Sequence, residues 1–83
     1  MINLRNIITL SDDNEYIVVG KIDYEDTIYY YLVDINKNDN VKFCYQKDDG
    51  LVELNDSNLI KELIPLFSKQ AMEEINNYIK ENS

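Results

Sequence analysis

Through residues 6–54 apolar side chains recur at every second position or in short runs, and after residue 54 the period lengthens to three and four. The first part therefore predicts strands. Asn6 to Leu10 is a short β-branched run, ended by the turn-forming cluster Ser11-Asp12-Asp13-Asn14. Tyr16 to Tyr24 resumes the strand pattern, with Tyr16, Val18, Ile22 and Tyr24 assigned to one face and Ile17 and Val19 to the other. Glu25-Asp26 reads as a tight turn into Thr27–Ile35, a stretch rich in Tyr, Ile and Val that suits a pleated, half-buried surface. Asn36 to Asn40 reads as a loop. Val41 to Lys47 alternates, with Val41, Phe43 and Tyr45 opposed to Lys42, Cys44 and Gln46. Asp48-Asp49-Gly50 carries the Asp-Gly hairpin signal, and Leu51 to Leu54 returns as a short edge strand. Short connections between successive strands predict a meander.

Beyond Leu54, Ile60, Ile64, Phe67, Ala71, Ile75 and Tyr78 fall on one helical stripe, which Leu63, Met72 and Ile79 widen. Asp56, Ser57 and Asn58 are competent N-caps. Pro65 lacks the N–H a continuous helix uses and disfavours helical geometry at Ile64, so the segment from about 57 to 81 is expected to be kinked or broken there. Ser68 could cap a second helix. The fold expected is α+β: an antiparallel meander of four to five strands, about residues 6–54, packed against a C-terminal helical segment that supplies half the core. Residues 1–83 make one domain, without internal repeats. The central strands are apolar on both faces, and one helix covers one face. Either the C-terminal turns wrap round, or a face stays partly open and displays alternate members of Tyr29-Tyr30-Tyr31.

Composition narrows what such a protein does. In 83 residues, 45% hydrophobic with seven Tyr and two Phe, there is material for a folded globule, and two Gly and one Pro argue against a linker. The net charge of −8 disfavours direct contact with nucleic-acid phosphates and with anionic membranes. It favours solubility, or a partner with a basic surface. The single cysteine, Cys44, points to a reducing compartment. With no signal peptide and no apolar run of membrane-spanning length, the expected location is the cytoplasm. An Asn-, Ile-, Lys- and Tyr-rich composition suits a low-GC bacterium or its phage.

Catalytic chemistry finds little to work with. There is no His, the commonest general base and metal ligand. Cys44 sits mid-strand between Phe43 and Tyr45 and reads as an inert hydrophobe. Gly20 and Gly50 do not form a phosphate loop. Asp34, Asn36 and Asn38 match the first half of a calcium loop, but Asp39 stands where Gly is needed and Tyr45 where a bidentate Glu belongs. No enzyme activity, metal or cofactor is expected. The acids show more pattern. In a meander Asp12, Asp13, Asp39 and Asp56 gather at one end and Glu25, Asp26, Asp48 and Asp49 at the other, with Asp23, Glu53, Glu73 and Glu74 on the flanks. Such carboxylates can dock a basic partner or imitate nucleic-acid phosphates.

The order of features in Ile7 to about Phe67 resembles the YrzB-like family of small acidic proteins of Gram-positive bacteria. The resemblance rests on Ile8-Thr9-Leu10 before an acidic turn, Ile22-Asp23-Tyr24-Glu25-Asp26, Tyr30-Tyr31-Leu32-Val33, and Asp48-Asp49-Gly50 before a short strand and the helix. The chain departs from the family in its Asn and Tyr content and its longer tail after Phe67. The resemblance implies a sheet-plus-helix fold in a bacterial cytosol and no site residues.

The functional expectation is a non-enzymatic binding module. It docks a protein partner with a basic surface through its carboxylates or an exposed sheet face, with a homodimer also possible. The alternative is a phage-type inhibitor that mimics nucleic acid and blocks a nuclease or DNA-binding protein. The candidate partner-binding residues are Asp12, Asp13, Glu25, Asp26, Asp48, Asp49, Tyr29 and Tyr31.

Overall fold

The structure, a computed structural model, describes residues 2–82. It is α+β: β1 (Ile7–Thr9), β2 (Glu15–Tyr24), β3 (Thr27–Asp34), β4 (Val41–Lys47) and β5 (Gly50–Glu53), followed by α1 (Ser57–Asn82). The strands form one antiparallel sheet in sequence order, the meander that the short connections predict.

Strand β2 departs from simple alternation. Val18 pairs with Leu32 but Gly20 with Tyr31, so Val19 is an extra residue, a β-bulge. The bulge is held from outside the hairpin: Arg5, at φ 71°, donates its N–H to the Val18 carbonyl at 2.7 Å, and Val18 donates back to Asn6 at 2.9 Å. The expected common face of Tyr16, Val18, Ile22 and Tyr24 is therefore corrected. Tyr16 and Val18 share the face of Leu32 and Tyr30, whereas Ile22 and Tyr24 share that of Tyr29 and Tyr31.

A bulge bends its strand and sharpens the local twist, and here the sheet curls. Ile8 and Leu10, in and just after β1, and Leu51 and Glu53 of β5 line the same cleft, of about 480 Å³, although β1 and β5 are the two sheet edges. Inside the curl lie Tyr16, Val18, Tyr30, Leu32 and Cys44, all buried, with Ile2, Leu4, Ile8, Leu10, Ile28 and Leu51 packed round them. The principal core thus sits on the face away from the helix, and the expectation that the helical segment supplies half the core is corrected: of α1, Leu63 and Phe67 are the buried hydrophobics.

Phe67 keys the helix to the opposite face. Its ring lies against Gly20, where a Cβ would overlap it, and meets Tyr31 and Phe43 at centroid distances of 5.8 and 5.9 Å. Gln70 extends the contact by accepting the Lys21 N–H at 2.9 Å and donating to the Lys21 carbonyl at 2.5 Å. Asp56 caps α1, its Oδ1 accepting from Asn58 N and Leu59 N. The break expected at Pro65 is not found, because α1 is one helix. Pro65 is exposed, so water can take the Lys61 carbonyl that loses its N–H partner. Ser68 caps nothing.

Candidate functional site

Turns β2–β3 and β4–β5 close at the same end of the sheet, and both are built from acids. Tyr24 pairs with Thr27, leaving Glu25 and Asp26 as a two-residue loop with φ of 50° and 66°. Two positive φ values define the type I′ geometry, whose twist matches that of the flanking strands. Lys47 pairs with Gly50 around Asp48 and Asp49. Here the positive φ, 51°, falls on Asp48. The Asp-Gly signal thus marks the right hairpin one residue late, since Gly50 already opens β5. All four carboxylate residues are exposed.

Directly behind them, on the face that carries α1, three tyrosines from neighbouring strands stand in a row. Tyr29 is opposite Tyr45 across β3–β4, and Tyr24 flanks Tyr29 from β2. Ring centroids are 6.4 Å apart in both pairs, with interplanar angles of 59° and 55°. All three are half-buried. The Tyr24 hydroxyl donates to Glu62 of α1 at 3.2 Å. That bond, then the charges of Glu62 and Glu25, holds the phenol pKa above its usual 10.0. The end thus offers four carboxylate acceptors beside tilted ring faces, which suits a cationic side chain with an apolar stem.

The remaining candidates have other work. Asp12 accepts from Asn14 N at 3.0 Å and from the Tyr16 hydroxyl at 2.7 Å, and Asn40 bridges Tyr16 to Asp34 with Nδ2 contacts of 3.2 and 3.1 Å. This network ties the β1–β2 turn to the β3–β4 loop at the opposite end. The Tyr16 hydroxyl, then the Asn14 N–H, holds Asp12 below the usual 3.8, and the Asn36 N–H first does the same for Asp34. Burial, then Asp12, raises Tyr16. Asp13, at φ 66°, lies in the same turn as Asp12. Tyr31 is stacked on Phe43, 4.9 Å and 6° apart, and wedged by Phe67. Glu25, Asp26, Asp48, Asp49 and Tyr29 are therefore brought together, while Asp12, Asp13 and Tyr31 are not. Tyr24 and Tyr45 were missed as partners of Tyr29. The two-residue turn places Tyr24 in sequence alone, but Tyr45 needs the register set by the six-residue β3–β4 loop.

The cleft between the sheet edges also carries charge, from Asp12, Lys42 and Glu53. Lys42 and Glu53 are paired at 3.0 Å, and that bond raises the Lys42 amine, keeping it a cation rather than a base. The buried Cys44 thiol is pushed up to about 11, chiefly by burial, which leaves almost no thiolate at neutral pH. Among the described residues no group of three or more His, Cys, Asp or Glu could hold a metal ion, and no helix is long and apolar enough to cross a membrane.

Fold and surface together define a small α+β protein with a curled sheet and one acidic, tyrosine-lined end. No protein-family model, no curated protein and no solved structure matches the chain.

Proposed function

We propose that the protein is a non-enzymatic cytosolic binding module that docks a basic segment of a protein partner at the acidic, tyrosine-lined end of its sheet. One observation carries the reading: Glu25, Asp26, Asp48 and Asp49 stand at the sheet end that also carries a row of ring faces, Tyr24, Tyr29 and Tyr45, four acids against the single cation Lys47 that closes the β4–β5 turn. Carboxylates steer a cationic partner into place and the rings hold its side chains, so charge sets the rate and the rings set the residence time. Membership of the YrzB-like family, which the resemblance implies, belongs to this proposal and adds no activity to it.

The test is capture of partners from host lysate by the tagged protein, with and without charge reversal. Replacing Glu25, Asp26, Asp48 and Asp49 by Lys should abolish capture, and Tyr29→Ala should weaken it about tenfold, roughly one well-placed aromatic contact. Asp12→Ala should leave capture intact. A partner retained equally by the reversed protein would overturn the reading.

A second reading, an inhibitor that imitates nucleic acid, is favoured by the side-by-side position of the two acidic turns at one sheet end. It makes a different demand: the captured partner must bind DNA or RNA, and nucleic acid must displace the protein from it in a salt-sensitive manner.

A further inference from the structure

The curl brings the two sheet edges, β1 and β5, to either side of one cleft without pairing them. Which backbone groups face that cleft follows from the ladders. Val18 donates to the Asn6 carbonyl and Leu10 to that of Asn14, so the even positions of β1 are bonded to β2 and Ile7 and Thr9 turn N–H and C=O outward. Leu54 donates to the Phe43 carbonyl at 2.7 Å, which puts Val52 in the bonded phase with Tyr45. Leu51 and Glu53 are then the residues of β5 that turn N–H and C=O outward. Among the described residues these outward groups have no hydrogen-bond partner. Such a row of main-chain donors and acceptors is a template for another strand, and here two rows border one cleft.

Direction and size fit one strand. In a five-stranded antiparallel meander β1 and β5 point the same way, so a segment running against both pairs antiparallel with each and closes the sheet into a six-stranded barrel. The cleft, of about 480 Å³, holds about three residues of strand at spacings of roughly 3.3 Å along, 4.8 Å across and 10 Å through a sheet. Its borders are of matching length, three residues in β1 and four in β5.

The lining specifies a sequence. Leu51 packs on the inner core and Glu53 is paired with the buried Cys44, so both lie on the inner face. Residues bonded to them point inward as well, whereas those bonded to Ile7 and Thr9 point out. Antiparallel order puts the residue opposite Glu53 two positions before the one opposite Leu51. The first meets Asp12, Glu53 and Lys42, two acids against one cation, which suits Arg or Lys. The second meets Ile8, Cys44 and Leu51, which suits an aliphatic side chain.

We propose that the cleft between β1 and β5 takes an extended segment of a partner protein as a sixth strand, one that carries a basic residue and, two positions later, an aliphatic one. Main-chain bonds to Ile7, Thr9, Leu51 and Glu53 supply affinity, and the two inward side chains supply the choice of sequence. The tyrosine row lies on the other face of the sheet, so this inference does not depend on the function proposed above.

The probe is a capped peptide, Thr-Arg-Thr-Val-Thr, titrated to millimolar concentration into the full chain while amide hydrogen exchange is read by residue. Exchange at Ile7, Thr9, Leu51 and Glu53, fast in the free protein, should slow about tenfold or more with peptide bound. Thr9→Pro removes an outward N–H without touching the β1–β2 ladder and should weaken binding about tenfold. Glu53→Gln, or Glu in place of Arg in the peptide, should weaken it about tenfold as well. Edge amides that do not respond to millimolar peptide would overturn the proposal, and so would binding that Thr9→Pro leaves unchanged. Edge amides that become protected without peptide as the protein concentration rises would give the cleft to a second copy instead. A response confined to Glu25, Asp26, Asp48 and Asp49 would overturn the sixth strand and support docking at the tyrosine-lined end.

Discussion

On the face turned away from α1, the sheet covers itself: its edges curl until Tyr16, Val18, Tyr30, Leu32 and Cys44 are shut inside. On the face beneath α1, cover comes from a second element, and it is partial, with Leu63 and Phe67 buried while Val19 and Val41 stay 40% and 39% exposed. The contrast shows that an apolar strand face does not by itself demand a second layer. Curvature can enclose it. The helix is then released from forming the main core.

The comparison can be broken most directly by truncating one residue on each face. Leu32→Ala should cost about 3 kcal/mol, because it empties a fully enclosed site with little freedom to collapse. Phe67→Ala should cost no more than that, about 3 kcal/mol, although it removes more atoms, because its site adjoins an open groove into which neighbours can relax. Urea midpoints at constant m-value measure both. A larger loss for Phe67→Ala would mean that the helix, not the curl, holds the protein together.

Acid sharpens the comparison at the network that fastens the curled end. Asp12 and Asp34 both have native pKa values lowered below 3.8. A lowered carboxylate contributes stability that is fully present above its unfolded pKa and is lost as pH falls through the native one. Stability should therefore decline below about pH 4. The Asp12→Asn/Asp34→Asn double variant should be less stable at neutral pH and show a flatter acid arm in thermal melts. An unchanged acid arm would mean that these two groups do not fasten the loops.

The smallest effect concerns the turn at the docking end. Glu25 and Asp26 occupy left-handed conformations that Asn and Gly adopt more readily. Glu25→Asn with Asp26→Gly should raise stability by about 0.5–1 kcal/mol. The same change should weaken partner capture, because it removes two of the carboxylates. Stability and binding moving in opposite directions would mark these residues as retained for contact rather than for folding.

Much of this architecture is legible in the sequence because strands and turns are local. Alternation in Val41–Lys47 and the acidic turn residues at 25–26 and 48–49 place the hairpins correctly. The bulge at Val19 is not legible, since Tyr16, Val18, Ile22 and Tyr24 spell an unbroken two-residue period. What overrides it is distant: the backbone of Arg5 and Asn6 on Val18, and the ring of Phe67 against Gly20. The helical stripe is equally legible, but the part of it that meets the sheet is not. A 26-residue helix runs about 39 Å at 1.5 Å per residue, and periodicity does not mark where a sheet beneath it stops. Of the candidate site, the acids follow from turn chemistry, whereas the tyrosine row depends on the β3–β4 register.

Val19 can also be considered as an edit to the chain's length. Because it is the supernumerary residue of β2, deleting it would leave Gly20 to Tyr24 on their present faces and join the two phases into one regular strand. Deleting a neighbour such as Lys21 would instead turn the residues beyond it over unless the bulge absorbed the loss. The strand thus contains one dispensable letter, and its removal would keep the spelling while straightening the page.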